Sequence, residues 1–193
     1  MKTTILIILF HLLSVNTIAQ NSELKALLIE ISSKAIELNS TYFSTEQVEH
    51  SWIGFAPAND TMIIQLEQRL KVKLPQDFKD FLLITNGFRD ANGVEPSFCA
   101  LSKIDYLKNV DQELIDIWNF PSDKSFTENF KSAIQVGGFD EEQQFYLIPP
   151  GAYNTDWEYW HFAAWSPGEA VYTSLLDYFN HVLETTNQFL LNK

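Results

Sequence analysis

Apolar residues recur every three or four positions through the first half of the chain. Leu24, Leu27, Leu28, Ile31, Ala35 and Leu38 form one stripe, with Ser22 placed to cap a helix that ends at the polar break Asn39-Ser40-Thr41. A second helix comes after Pro57, with Asn59 as N-cap and Ile63, Leu66 and Leu70 on one face. A third opens at Pro75, whose missing N–H costs nothing at the first helical position, and turns Phe78, Phe81, Leu82 and Thr85 inward. It stops at Asn86-Gly87, where Gly87 can take a left-handed conformation. Residues 94–101 read as a strand confined to an edge by Pro96, residues 104–118 as mostly helical, and residues 121–124 as a surface loop.

The period then shortens to two. Residues 133–136 and 144–148 flank the turn Gly137-Gly138-Phe139-Asp140-Glu141-Glu142 and predict a hairpin. Residues 157–165 alternate as a third strand, with Trp157, Tyr159, His161, Ala163 and Trp165 on one side and Glu158, Trp160, Phe162 and Ala164 on the other. Ser166-Pro167-Gly168-Glu169 is a turn, and residues 170–172 continue the sheet. Ser174 and Asp177 have capping-box spacing and open a last helix carrying Leu175, Leu176, Phe179, Val182, Leu183, Thr186 and Leu190 inward. The predicted class is α+β: N-terminal helices, a central antiparallel sheet with a hairpin, and a C-terminal helix packed on the sheet.

The first residues obey a different rule. Lys2 precedes an apolar run from Ile5 to Val15, broken only by His11 and Ser14, and the small residue Ala19 stands before Gln20. That run is about 11 residues, short of the ~20 that a spanning helix needs, and matches a secretory signal cut between Ala19 and Gln20. The chain then divides into a leader over 1–19, a helix and linker over 20–49 and a domain over 50–190. The expected location is periplasmic or secreted. No later stretch approaches spanning length.

Composition sharpens the choice of partner. The 193 residues hold 13 Lys and Arg against 25 Asp and Glu, a net charge of −12. Losing the leader with its single Lys2 would deepen this to −13. Such an excess argues against nucleic acid as a direct ligand, because phosphate is bound by clustered cations, and it suits a basic protein partner. The single cysteine, Cys99, excludes intrachain disulfides and any cysteine-based zinc cluster.

Several of these segments, in this order, resemble the signature of the SUKH superfamily. The resemblance is carried by Trp52-Ile53-Gly54, then Ile63, Leu66-Glu67 and Leu70, then Leu74-Pro75, Asp77-Phe78 and Phe81-Leu82, closing on Asn86-Gly87. Residues 137–150 look like that family's central hairpin. Residues 157–162, Pro167-Gly168-Glu169 and Ser174-Leu175 to Phe179 look like its next strand, turn and closing helix. The likeness spans about residues 50–185. It implies an α+β protein-binding domain with no catalytic residues or cofactor to carry over, of the kind that in bacteria often neutralises toxins of competing cells. The hairpin tip departs from the family's Gly-Asp-Gly-like turn by being acidic. An exported member would meet a toxin that acts in the envelope.

Residues with reactive side chains are sparse. His50, His161 and His181 are far apart, with no second ligand at metal spacing, and His161 is the one acid–base candidate. Cys99 has no neighbouring base to activate it. Nucleophile-elbow, Walker and dinucleotide motifs are absent. Asp140, Glu141 and Glu142 are the densest charge: either a solvated turn or an anionic patch that steers a basic partner such as a toxin, since consecutive carboxylates do not space like a calcium loop. Trp157, Trp160 and Trp165 either pack the sheet or anchor a partner, and exposed they would also stack on an envelope glycan.

Overall fold

The computed structural model describes residues 2–163, 165 and 169–193, with side chains from residue 21 onward. The expected turn at 166–168 and the alternating Ala164 lie outside the described residues, as do the side chains of Ala19 and Gln20.

Five antiparallel strands form a meander in chain order: β1 (Asp105–Tyr106), β2 (Ile134–Gly137), β3 (Gln143–Ile148), β4 (Glu158–Ala163) and β5 (Glu169–Tyr172). Helices cover both faces. On one side lie α1 (Lys2–Asn39), α3 (Asp60–Leu70), α4 (Gln76–Ile84) and α8 (Leu175–Leu191), whose apolar stripes share one core with Ile134, Val136, Phe145, Leu147 and Tyr159 of the sheet. The short α2 (Thr45–His50) links α1 to α3 and is opened by a Ser44–Gln47 capping box. On the other side α5 (Leu107–Val110), α6 (Gln112–Ile117) and α7 (Lys124–Ser132) enclose a second core with Tyr146, Ile148, Trp160 and Phe162. Alternation along β3 and β4 therefore feeds two cores rather than one core and solvent.

The caps explain most of the boundaries. Asn59 accepts from the Met62 N–H at 3.0 Å and Ser174 from the Asp177 N–H at 3.1 Å. Asp177 does not complete a capping box; its carboxylate takes the Thr173 hydroxyl instead. Pro75 stands one position outside α4, as its N-cap. Ser22 lies inside α1, which runs unbroken across Ala19 and Gln20.

Three family-type positions acquire physical reasons. Glu67 is buried on α3 against the α3–α4 turn, accepts from the Leu74 N–H at 3.0 Å and pairs with Lys73. Burial alone would raise its carboxyl, but those bonds and the Lys79 ammonium hold it below the usual range. Thr85 is fully buried and accepts from the Phe55 N–H at 2.8 Å, while Asn86 accepts from the Leu101 N–H at 2.8 Å. Gly87, at φ 112°, carries the chain from that junction into the bridge between Phe88 and Phe98.

Two expectations are corrected. Residues 94–101 form no strand, only isolated bridges at Phe98 to Phe88 and Gly137. Asp90 accepts from the Asn92 and Gly93 N–H groups, and Asn92 from those of Val94 and Glu95, so side chains take the donors a ladder would use. The helical stretch at 104–118 is interrupted twice. Tyr106 pairs with Ile134 in the sheet, and Asp111 ends α5 and caps α6 by accepting from the Leu114 N–H at 2.9 Å.

Candidate functional site

The hairpin between β2 and β3 is a fixed platform. Gly138, at φ 71°, stands where a Cβ would lie 1.9 Å from the Gln143 carbonyl oxygen, so a side chain there is incompatible with the turn. The Gly138 N–H donates to Ser97 O at 2.9 Å, and the Ser97 N–H donates to Glu141 Oε2 at 2.9 Å. Gln144 Nε2 donates to the Glu141 carbonyl at 2.7 Å. Asp140, Glu141 and Glu142 are all exposed on this held tip.

The tryptophans separate. Trp160 is 2% exposed, stacks on Phe126 at 5.5 Å and donates its Nε1–H to Glu158 at 2.9 Å. It presents no surface to a partner. Trp157 is half-buried against the first core. Trp165 is 67% exposed and, with Glu141, Glu142 and Gln144, borders an open depression of about 640 Å³. Strand register explains the meeting: Gln143 pairs with Ala163, so the chain leaving β4 passes the hairpin tip two residues later. The structure thus brings Trp165 to the acidic tip and leaves Trp157 and Trp160 elsewhere.

A neighbouring groove of about 650 Å³ was not foreseen. Tyr42, Phe55 and Phe139 line it with Arg89, Lys103 and the shared Glu141. Arg89 lies over the Tyr42 ring at 4.9 Å. Tyr42 and Phe55 are 47% and 49% exposed. Their only signal in the chain is an aromatic residue outside any periodic element, and nothing in periodicity places them together.

Of the reactive side chains, Cys99 and His161 are sequestered, whereas His50 and His181 are exposed. Burial pushes the Cys99 thiol up to about 12, which removes the thiolate at neutral pH. His161 sits beneath α8, its Nδ1 3.7 Å from Glu95, whose carboxylate also accepts from the Tyr178 hydroxyl at 3.0 Å and lies 3.7 Å from His181 Nε2. Burial, with the His181 charge, drives His161 down to about 4, so the imidazole is neutral at neutral pH. Burial pushes Glu95 the opposite way, upward. Among the described residues no group of three or more His, Cys, Asp or Glu side chains is arranged to hold a metal ion.

This burial makes stability depend on pH. The unfolded chain protonates His161 near 6.5 and the folded chain only near 4, so this group's contribution is present above 6.5 and lost as pH falls through that window. The loss is on the order of 3 kcal/mol, offset in part by Glu95, whose raised carboxyl favours the folded state in acid. Urea unfolding of His161→Gln between pH 7 and 4 should show a flatter decline than the unaltered chain; parallel declines would contradict the assignment.

Comparison with known families matches residues 57–185 to the SMI1 / KNR4 family (SUKH-1). The chain belongs to that family. None of the curated proteins compared with it matches. The matched span runs from just before α3 into α8, and Trp52-Ile53-Gly54 lies immediately ahead of it. SUKH domains are generally non-catalytic, and the family is broadly linked to immunity and to cell-wall-related roles. In this SUKH-1 member the family-type positions Glu67, Asn86 and Gly87 all serve the scaffold, whereas the acidic tip and Trp165 are presented to solvent. No helix among the described residues is long and apolar enough to cross a membrane.

Proposed function

We propose that this SUKH-1 domain is an exported, immunity-type protein that binds a basic protein partner, such as a toxin acting in the envelope, through its hairpin tip. The observation that carries the proposal is the meeting of Glu141 and Glu142 with the exposed Trp165 around one depression, with Asp140 exposed beside them on the same turn. Exposed acids steer a basic surface and raise its association rate, and an exposed tryptophan supplies the desolvated anchor that interface energies concentrate in. A glycan-binding alternative would need a row of accessible rings, and of Trp157, Trp160 and Trp165 the last alone is exposed.

The test is capture of extracytoplasmic proteins on the folded chain, with mass spectrometry of what is retained. Glu141 also holds Ser97, so Asp140→Lys with Glu142→Lys reverses charge without touching that bond. The double variant should keep its fold and lose the captured protein. Sequencing the exported material from its N-terminus should start at Gln20; a start at Met1 would remove the export proposal.

A further inference from the structure

Beside the hairpin tip a polar cleft of about 230 Å³ opens between α6 and the β2–β3 turn. Asp111, Asp140 and Glu141 bring three carboxylates to it, and Gln135, Gln144 and Tyr146 complete its polar lining. Acids alone would be an ordinary solvated rim. The floor is different. Tyr146 is fully buried, its ring between Phe130 and Phe162 in the second core, yet its hydroxyl finds no hydrogen-bond partner among the described residues. Burial and the charge of Asp111 both push the pKa of the Tyr146 hydroxyl upward, so it stays protonated, and Tyr146 and Asp111 line the same cleft. Buried polar groups in folded proteins are nearly always satisfied, so an orphan hydroxyl beside a cavity calls for a partner atom from outside the chain, a water's or a ligand's.

A second buried atom repeats the signal. Gln144 donates through Nε2 to the Glu141 carbonyl, which fixes the amide's orientation and leaves its Oε1 buried and unpaired. The donors nearby are already engaged: Gln135 Nε2 faces the Gly137 and Gly138 carbonyls at 3.3 and 3.5 Å. What the cleft has in excess is acceptors and negative charge. A group rich in N–H donors, without acceptors and positively charged, complements it, and among side chains that carry their charge throughout the neutral pH range only lysine and arginine combine those properties.

We propose that this cleft receives the cationic end of an arginine or lysine side chain from the partner, with the buried Gln144 Oε1 and Tyr146 hydroxyl as hydrogen-bond acceptors. The inference rests on the partner-binding function above and names the chemistry that the partner must present. The carboxylates of Asp111, Asp140 and Glu141 draw the cation in, and the two orphan oxygens fix its position.

The test needs no partner. The full chain, labelled with ¹⁵N, is titrated with N-acetyl-arginine amide, N-acetyl-lysine amide and, as the neutral isostere, N-acetyl-citrulline amide. The two cations should move the Gln144 side-chain amide and the Asp140 and Glu141 backbone signals saturably, and citrulline should bind about tenfold more weakly or not at all. Tyr146→Phe should lower affinity for the cations about tenfold while leaving the urea midpoint unchanged or raised, because the hydroxyl it removes makes no native bond. Absent or unsaturable shifts, equal binding of citrulline, or a Tyr146→Phe variant that binds normally or loses stability would each overturn the proposal. The cleft and the partner-binding function also fail separately. Cation binding without any captured protein would leave the cleft standing and remove the partner-binding function. A captured protein that is lost with Asp140→Lys and Glu142→Lys but kept with Tyr146→Phe would do the reverse.

Discussion

Replacing Trp160 by alanine should destabilise the domain by about 3–5 kcal/mol, and replacing Trp165 should change stability by less than about 0.5 kcal/mol. The two residues are five positions apart on one continuous stretch. Trp160 is 2% exposed, faces Phe126 with rings 17° from parallel, and closes the second core with Phe162 and Tyr146. Removing it leaves a cavity and strands the Glu158 carboxylate that accepts its N–H at 2.9 Å. Against a total stability of about 5–15 kcal/mol, that is at least about a fifth of what holds the domain folded. Trp165 is 67% exposed and has no comparable packing to lose. Urea midpoints for the two variants check both halves. Equal and small losses would mean that the helices over the second face of the sheet are not docked.

Asp77→Ala should cost about 3 kcal/mol. One carboxylate joins three elements there. Oδ1 accepts from its neighbour Phe78 N–H at 2.9 Å and from the Tyr159 hydroxyl of β4, and Oδ2 accepts from the Leu175 N–H at 3.1 Å. Both helix contacts lie in first turns, of α4 and α8, where a negative charge is favoured. Alanine leaves the Tyr159 hydroxyl, on a residue 2% exposed, and the Leu175 N–H without their acceptor. Each buried orphan costs about 1–3 kcal/mol. Asp77→Asn keeps one acceptor oxygen and should recover part of the loss. A measured cost below about 1 kcal/mol would show that water replaces the carboxylate at this junction.

The helices α3, α4 and α8 were legible in the sequence because each carries an apolar stripe, and α3 and α8 also announce a side-chain cap at Asn59 and Ser174. The hairpin was legible because paired glycines and acids separate two apolar runs. Helix α7 was not, although Asp123 caps it and Phe126 and Phe130 lie one turn apart. Thr127 and Asn129 are buried with them, which blurs the helical stripe. Without α7 there is no second layer, and that is why the accessibility of Trp160 stayed open: period-two alternation gives the side on which a residue points, not what covers it. The Asx turns at Asp90 and Asn92 hid the fate of residues 94–101 for a related reason, since apolar content there is high but the backbone donors are used locally. At the site, the acids were visible as a run. Their meeting with Trp165 depends on the β3–β4 register, and the orphan oxygens of Gln144 and Tyr146 depend on the packing of two layers, which no local pattern encodes.

Recognition of a basic partner by charge at the hairpin tip is tested most directly by an association rate. The captured partner is combined with the unaltered chain and with the Asp140→Lys, Glu142→Lys variant, each at about 50 and 500 mM salt, where the screening length shortens severalfold. The unaltered chain should associate fast and with strong salt dependence. The folded variant should associate at least about tenfold more slowly, with the salt dependence weakened or inverted. Equal rates and equal salt dependence for the two proteins would contradict charge recognition at the tip.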